Sequence, residues 1–275
     1  MAMESRSDHR VLITGGGRGL GAAIGHRLAT DGMAVGLLAR TASELESTVQ
    51  TIEEFGGRAL ALPCDVLDRR QLEESFSKFR SWAGGLDALV CAAGGIQAIG
   101  PLHAIDLDVW RREMETSFVG VLQAIQVALP DLLASGKASI SVLVGPGTNQ
   151  AMKNASGYAA TQAALVRLVE SLGQELADEG VFLYAVNPGL VPTRMMQRLI
   201  DTEEGRRWLP QFVEAFAEGK EVPASVAAAM ISWLIDRRPG ELTGRVVASL
   251  ADPEFLETRL GRIVDEDLSI LRLRS

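Results

Sequence analysis

Thr14, Gly15, Gly17, Arg18, Gly19, Leu20 and Gly21 lie in the run TGGGRGLG, between the apolar Val11-Leu12-Ile13 and a helix-like stretch that begins at Leu20. Glycine permits a tight turn and lets backbone N–H groups approach an anion, and the first turn of a helix favours negative charge. The chemistry on offer is phosphate binding. Glycine turns also join strands to helices with no ligand, so the reading depends on what else reaches the same place. Arg40, Asp65, Gly94 and Pro188-Gly189 each follow a short apolar run, and Tyr158 stands near the start of a helical stretch with Gln162 four residues on. A tyrosine hydroxyl can give or take a proton, and a residue at i+4 shares its helix face. His9, His26 and His103 have no partner at a spacing that suggests catalysis, and neither zinc-ligand spacing nor a Ser/His/Asp order is present, so no metal is expected.

The elements that must carry these residues alternate. Helical spacing marks 20–31, stopped by Gly32, then 43–55 and 69–82; apolar runs mark strands at 33–39, 59–62 and 86–91. Trp110, Met114, Phe118, Val121, Leu122, Ile125 and Leu129 predict one long helix over 106–129, with Pro130 near its end. A strand at 140–144, a turn-rich loop at 145–155, a helix at 156–177 and a strand at 181–186 follow. A helix at 222–235 and a last strand at 245–249 complete the series. This predicts an α/β fold of Rossmann type, a doubly wound parallel sheet of about seven strands with helices on both faces, in one domain spanning 1–275. Ligands in such sheets bind beyond the carboxyl ends of the strands. The mixed helical stretch 194–220, with Met195, Met196, Trp208 and Phe212, suits a substrate lid, although packing alone would also explain its apolar residues; 252–275 is a tail with a short helix.

The 275 residues carry 35 acidic and 27 basic side chains, a formal charge of −8, and no dense basic run, which argues against nucleic acid. A mean hydropathy of +0.13 fits a large buried sheet. The start MAMESRSDHR lacks an apolar signal core and no uninterrupted span of some twenty apolar residues occurs, so a cytoplasmic protein with no membrane partner is expected. Cys64 and Cys91 end apolar runs, as small buried hydrophobes do.

Taken in order, these motifs resemble the short-chain dehydrogenase/reductase family over roughly residues 10–250. Thr14-Gly15 through Gly19-Leu20-Gly21 resembles its cofactor turn, Asp65-Val66 its adenine contact, Ala93-Gly94 half of its NNAG motif, Tyr158 the tyrosine of YxxxK, and Pro188-Gly189 with Thr193 the segment at the nicotinamide end. The resemblance implies a dinucleotide, a small-molecule substrate and a homo-tetramer or homo-dimer built on the two long helices. Ala39 stands where an NAD-type acid would be, and Arg18 and Arg40 can clamp a phosphate, so NADP(H) is expected over NAD(H).

The catalytic half departs from the family pattern. The lysine position is Gln162, the serine position Gly145, the asparagine position Ser117, and the first asparagines of NNAG are Cys91 and Ala92. Moving a tyrosine from ~10 to ~7 needs about 4 kcal/mol of differential stabilisation, which a neutral glutamine does not supply as charge. Gln162 can still bond a ribose hydroxyl or position Tyr158, and Thr148 or Asn149 can replace the serine as a donor, with Lys153 bringing a positive charge. A protonated tyrosine donates to a developing alkoxide, so reduction of a carbonyl or conjugated double bond is the less damaged direction. The alternative is a pocket that binds NADP(H) as a binding module or serves a non-redox step.

Overall fold

Seven short apolar runs become strands, the central ones buried on both faces and the two edge strands, Arg58–Pro63 and Arg245–Ala248, only in part. The computed structural model describes residues 9–272; 1–8, the start of the expected leader, and 273–275, the end of the expected tail, lie outside the described residues. The chain runs β1 (Arg10–Thr14), α1 (Gly19–Thr30), β2 (Ala34–Ala39), α2 (Ala42–Glu54), β3 (Arg58–Pro63), α3 (Arg69–Ala83) and β4 (Ala88–Cys91). It continues through α4 (Leu107–Met114), a π-helical turn (Glu115–Val119), α5 (Gly120–Ser135), β5 (Ala138–Leu143), α6 (Ser156–Leu176) and β6 (Val181–Asn187). Three short helices follow, α7 (Arg194–Asp201), α8 (Glu203–Trp208) and α9 (Pro210–Ala217), then α10 (Ala224–Arg237), β7 (Arg245–Ala248), α11 (Pro253–Glu257) and α12 (Leu260–Asp265).

The strands form one parallel sheet in the order β3-β2-β1-β4-β5-β6-β7. The strand order reverses between β1 and β4, where Thr14 lies opposite Leu38 on one side and Cys91 on the other. That reversal opens a crevice at the carboxyl ends of β1 and β4. Successive side chains serve opposite layers: Leu12 joins Phe79, Val121 and Leu165 on one face, while Ile13 joins Ile24, Leu28 and Ile231 on the other. The sheet and its two helical layers thus match the expected fold class.

Several expected boundaries move. The predicted helix 106–129 is α4, a π turn and α5, and it continues through Pro130 to Ser135, where left-handed Gly136 ends it. Burial of Leu132 against the sheet accompanies the extra turn, despite the N–H that proline lacks. The helical run Leu107–Ser135 is long and apolar enough to cross a membrane by length and composition alone, although its first turns carry Asp108, Arg111, Arg112, Glu113 and Glu115. In the fold it is a core helix, with Val121, Ala124, Ile125, Ala128 and Leu132 buried on the sheet. The predicted tail helix is two short helices, after which Ser269 O accepts from Val246 N at 2.7 Å beside β7. His9, just before β1, is buried, with Nδ1 3.0 Å from Arg238 Nη2.

Candidate active site

One wall of the crevice is backbone. Thr14 Oγ1, at the end of β1, accepts from Ala92 N at 3.2 Å and Ala93 N at 3.3 Å, tying the carboxyl ends of β1 and β4 together. Gly15 is left-handed (φ 72°), and a Cβ there would stand 2.7 Å from Ala92 O. A Cβ on Gly21 would overlap the Gly15 carbonyl, so α1 sits directly on the turn. The mouth of the turn is open by contrast: a Cβ on Gly19 would meet only the side chain of Thr193, its methyl at 3.6 Å. Arg18 is the N-cap of α1 and offers no side-chain cap, leaving the leading N–H groups of α1 to another acceptor. A phosphate fits that need.

The adenosine end lies past β2. Arg40 is exposed and makes no ion pair with a described residue, while Arg18 Nη1 reaches Glu44 Oε1 at 3.0 Å. Asp65 Oδ1 accepts from Leu67 N at 3.0 Å, and Val66 is buried where a Cβ on Gly120 would meet it at 2.6 Å. Past β6, Asn187 Oδ1 accepts from Gly189 N at 3.0 Å, fixing the turn at Pro188-Gly189, and Thr193 caps α7 through Met196 N, which brings this segment back to the mouth of the glycine turn. Leu20 follows Gly19 in the first turn of α1, and Ala93-Gly94 follows β4, so these segments lie at the carboxyl ends of the strands, while Tyr158 and Gln162 stand on α6.

The facing wall is made of side chains. Tyr158, near the N-terminus of α6, is 7 % exposed, and burial first, then the negative charge of Glu113, raises its pKa above the ordinary tyrosine value. A Cβ on Gly145 would overlap the Tyr158 hydroxyl. The phenol therefore occupies the space that any larger residue at 145 would use. Gln162 is buried one turn along α6, and its Oε1 accepts from Gly145 N at 2.8 Å. The amide is committed to holding the end of β5, and its Nε2 meets no acceptor among the described residues. Ser117 lies in the π turn, and its Oγ accepts from Gly95 N at 3.3 Å. Thr148 is buried in the 145–155 loop, whereas Asn149 and Lys153 are exposed on it.

Glu113 was not among the residues expected from sequence. It is 1 % exposed, its Oε2 accepts from Gln97 N and Ala98 N, and its Oε1 is buried without a partner. Burial raises its pKa, against lowering by the two amides and by Arg198. The available signal was an acid on the apolar face of a helix, opposite Gly157, whose missing side chain leaves room for Trp110 and Glu113. Above Tyr158, Ile96, Ala155, Met196, Leu199 and Phe212 form an apolar cluster that joins α7–α9 to the 96–99 and 152–158 segments. Cys64 and Cys91 are buried and free, and burial pushes their thiols up to about 11 and about 12, away from nucleophilic use.

The short chain dehydrogenase family model matches residues 9–204. Cis-4-hydroxycyclohexanecarboxylate dehydrogenase of Sinomonas cyclohexanicum is 29 % identical over 228 residues, covering 82 % of this chain and 90 % of that one. The structure of levodione reductase superposes with a TM-score of 0.81 at 25 % identity, over 88 % of this chain and 96 % of the other. A variant of actinorhodin polyketide ketoreductase, solved with NADPH, gives 0.79 at 26 % identity over the same shares. The family binds a nicotinamide cofactor, and these relatives are dehydrogenases and reductases. With its parallel sheet order and its glycine turn at the reversal point, the chain belongs to the short-chain dehydrogenase family of oxidoreductases.

Proposed function

We propose that this protein is an NADP(H)-dependent reductase of a carbonyl or a conjugated double bond, with Tyr158 as a neutral proton donor. The observation that carries the reading is the Tyr158 hydroxyl lodged against Gly145, buried and with a raised pKa. A phenol that stays protonated cannot remove a proton from an alcohol efficiently, but it can give one to an alkoxide, which is the stronger base. Reduced nicotinamide, when bound, supplies the hydride to carbon. Tyr158 gives its proton to the substrate oxygen and regains one from solvent. Arg18 and the exposed Arg40, which has no ion pair among the described residues, support the phosphate-bearing dinucleotide, and Thr14, Gly15, Gly17, Gly19, Leu20 and Gly21 form the proposed pyrophosphate cradle.

Reading Gln162, Gly145 and Ser117 at the family's lysine, serine and asparagine positions, no cation among the described residues lowers the pKa of Tyr158. Gln162 is turned instead to Gly145 N. That commitment favours a second reading, in which the crevice holds NADP(H) without hydride transfer. The two separate in one experiment: oxidation of NADPH with ketones, aldehydes, quinones and enones, alongside a binding titration, in wild type and Tyr158→Phe. Turnover that falls about 100-fold or more in the variant, with binding kept, supports the reductase. Tight binding with no turnover on any substrate supports the second reading.

The proposal extends to organisation. Residues 194–220 act as a lid over Tyr158, supported by the apolar cluster beneath them, within one domain of a cytoplasmic protein. Exposed Val119, Leu122 and Leu133 on the α4–α5 run support a homo-dimer or homo-tetramer, which size-exclusion chromatography with light scattering tests.

A further inference from the structure

Three segments far apart in sequence meet on one oxygen. Glu44 Oε1, in the first turn of α2, accepts from Arg18 Nη1 at 3.0 Å and from Arg194 Nη1 at 3.0 Å. Arg18 belongs to the glycine turn and Arg194 is the first residue of α7. The side chains of the two arginines are 55 % and 71 % exposed, that of Glu44 only 24 %. The carboxylate is held from behind: a Cβ on Gly17 would lie 3.3 Å from Glu44 Cβ, and Thr48 Oγ1 donates to Gly17 O at 3.1 Å. The bridge therefore crosses the mouth of the turn, beside the open face of Gly19 and next to Thr193.

The charges do not balance at this place. Arg18 and Arg194 bring two guanidiniums, and Glu44 brings one carboxylate, of which a single oxygen serves both, while Arg40 follows Ala39, which flanks Gly17 together with Glu44. A phosphate carries up to two charges and three acceptor oxygens, so it satisfies this donor set better than the carboxylate does. The two anions also repel, so an arriving phosphate and Glu44 compete for the same donors. Resting on the NADP(H) reading above, we infer that Glu44 fills the 2′-phosphate seat when that phosphate is absent, and that Arg194 is a third phosphate ligand, carried by the segment that covers Tyr158. With NAD(H), Glu44 keeps both arginines and α7 stays tied to α2. With NADP(H), Arg194 turns to the phosphate and the tie passes to the cofactor. Choice of cofactor and position of the covering segment are then set by one contact.

Isothermal titration of the full chain with NADP⁺ and NAD⁺ tests this without any turnover, in wild type and in Arg18→Ala, Arg194→Ala and Glu44→Gln, with melting curves to confirm folding. Arg194→Ala is expected to weaken NADP⁺ about 5- to 20-fold and Glu44→Gln to tighten it about 3- to 10-fold, while NAD⁺ stays within about twofold in both. Equal loss of NADP⁺ and NAD⁺ in Arg194→Ala would make Arg194 a pyrophosphate ligand and overturn the inference. A preference for NADP⁺ that Arg18→Ala removes, while Arg194→Ala and Glu44→Gln leave it unchanged, overturns the inference and leaves the NADP(H) reading standing. Equal binding of both dinucleotides by wild type overturns that reading, and the inference with it.

Discussion

The two walls of the crevice both need glycine, for different reasons. On the cofactor side, the atoms that exclude a Cβ from Gly15 and Gly21 belong to the backbone, the carbonyls of Ala92 and Gly15. On the catalytic side, the atom that excludes a Cβ from Gly145 is the hydroxyl at the far end of the Tyr158 side chain. Backbone held in a sheet cannot give way, whereas a side chain can rotate. The first wall is therefore fixed by sterics at Gly15 and Gly21, which tolerate no side chain. The second is a fitted pair, in which a change at one residue moves the other.

The largest expected effect tests the rigid wall. Gly21→Ala drives a methyl into the Gly15 carbonyl and forces α1 off the turn. An overpacking cost of about 3 kcal/mol, felt where the dinucleotide binds, corresponds to roughly 100-fold in Kd, with a lowered melting temperature. Binding unchanged within a few-fold would mean that the turn is only a connection, and the contrast between the walls would collapse.

Next comes Gly145→Ala, where the methyl meets the phenol and the fold should survive. The expected outcome is dinucleotide binding within about threefold of wild type and kcat for carbonyl reduction lowered about 10- to 100-fold, as Tyr158 is pushed aside. Gly145→Ser should behave no better, because the added hydroxyl arrives where the phenol already stands. A gain in turnover from either variant would show that Tyr158 has room to spare and that serine is simply missing.

These two walls also mark how much was legible in the sequence. The glycine turn, its strand and its helix follow local rules, so TGGGRGLG after Val11-Leu12-Ile13 announced them, and the alternation of runs announced the parallel sheet. The catalytic wall depends on contacts between residues distant in sequence. Gln162 could be placed one helical turn from Tyr158, but not turned toward Gly145 N, because that bond needs the end of β5 beside α6. Glu113 was missed because an acid in a helix is by default a solvated one; only the fold brings the amides of Gln97 and Ala98 to it. The π turn at Glu115–Val119 and the passage of α5 through Pro130 were equally hidden, since apolar spacing alone does not record a shift of one residue in the helix ladder.

Gln162→Lys sharpens the comparison at an intermediate scale. It removes the acceptor for the buried Gly145 N–H, at about 1–3 kcal/mol, and places a cation one turn from the phenol. Wild-type reduction should hold its rate up to and past the ordinary tyrosine range, because burial and Glu113 keep Tyr158 protonated there. In the lysine variant the phenol becomes more acidic, so the alkaline limb of reduction moves to lower pH and alcohol oxidation rises. Superimposable pH–rate profiles for the two proteins would mean that position 162 does not govern the acidity of Tyr158.

The smallest effect concerns Glu113 and is read in stability. Burial raises its pKa despite the amides of Gln97 and Ala98 and the charge of Arg198, which lower it. The folded chain therefore holds this proton more tightly than the unfolded chain does. Such a group contributes stability that is fully present below the unfolded pKa and is lost as pH rises through the folded one. Glu113→Gln keeps one oxygen for the two backbone amides and carries no proton to lose. Melting curves of the two proteins should run together on the acid side of the ordinary carboxylate range and separate above it, with the glutamine variant more stable by a few degrees at neutral pH. If the variant is instead less stable at neutral pH and the gap closes on acidification, the carboxylate is ionised and held by its partners. Its charge would then press on Tyr158 at neutral pH, which would tie a residue missed in the sequence directly to the protonation of the tyrosine.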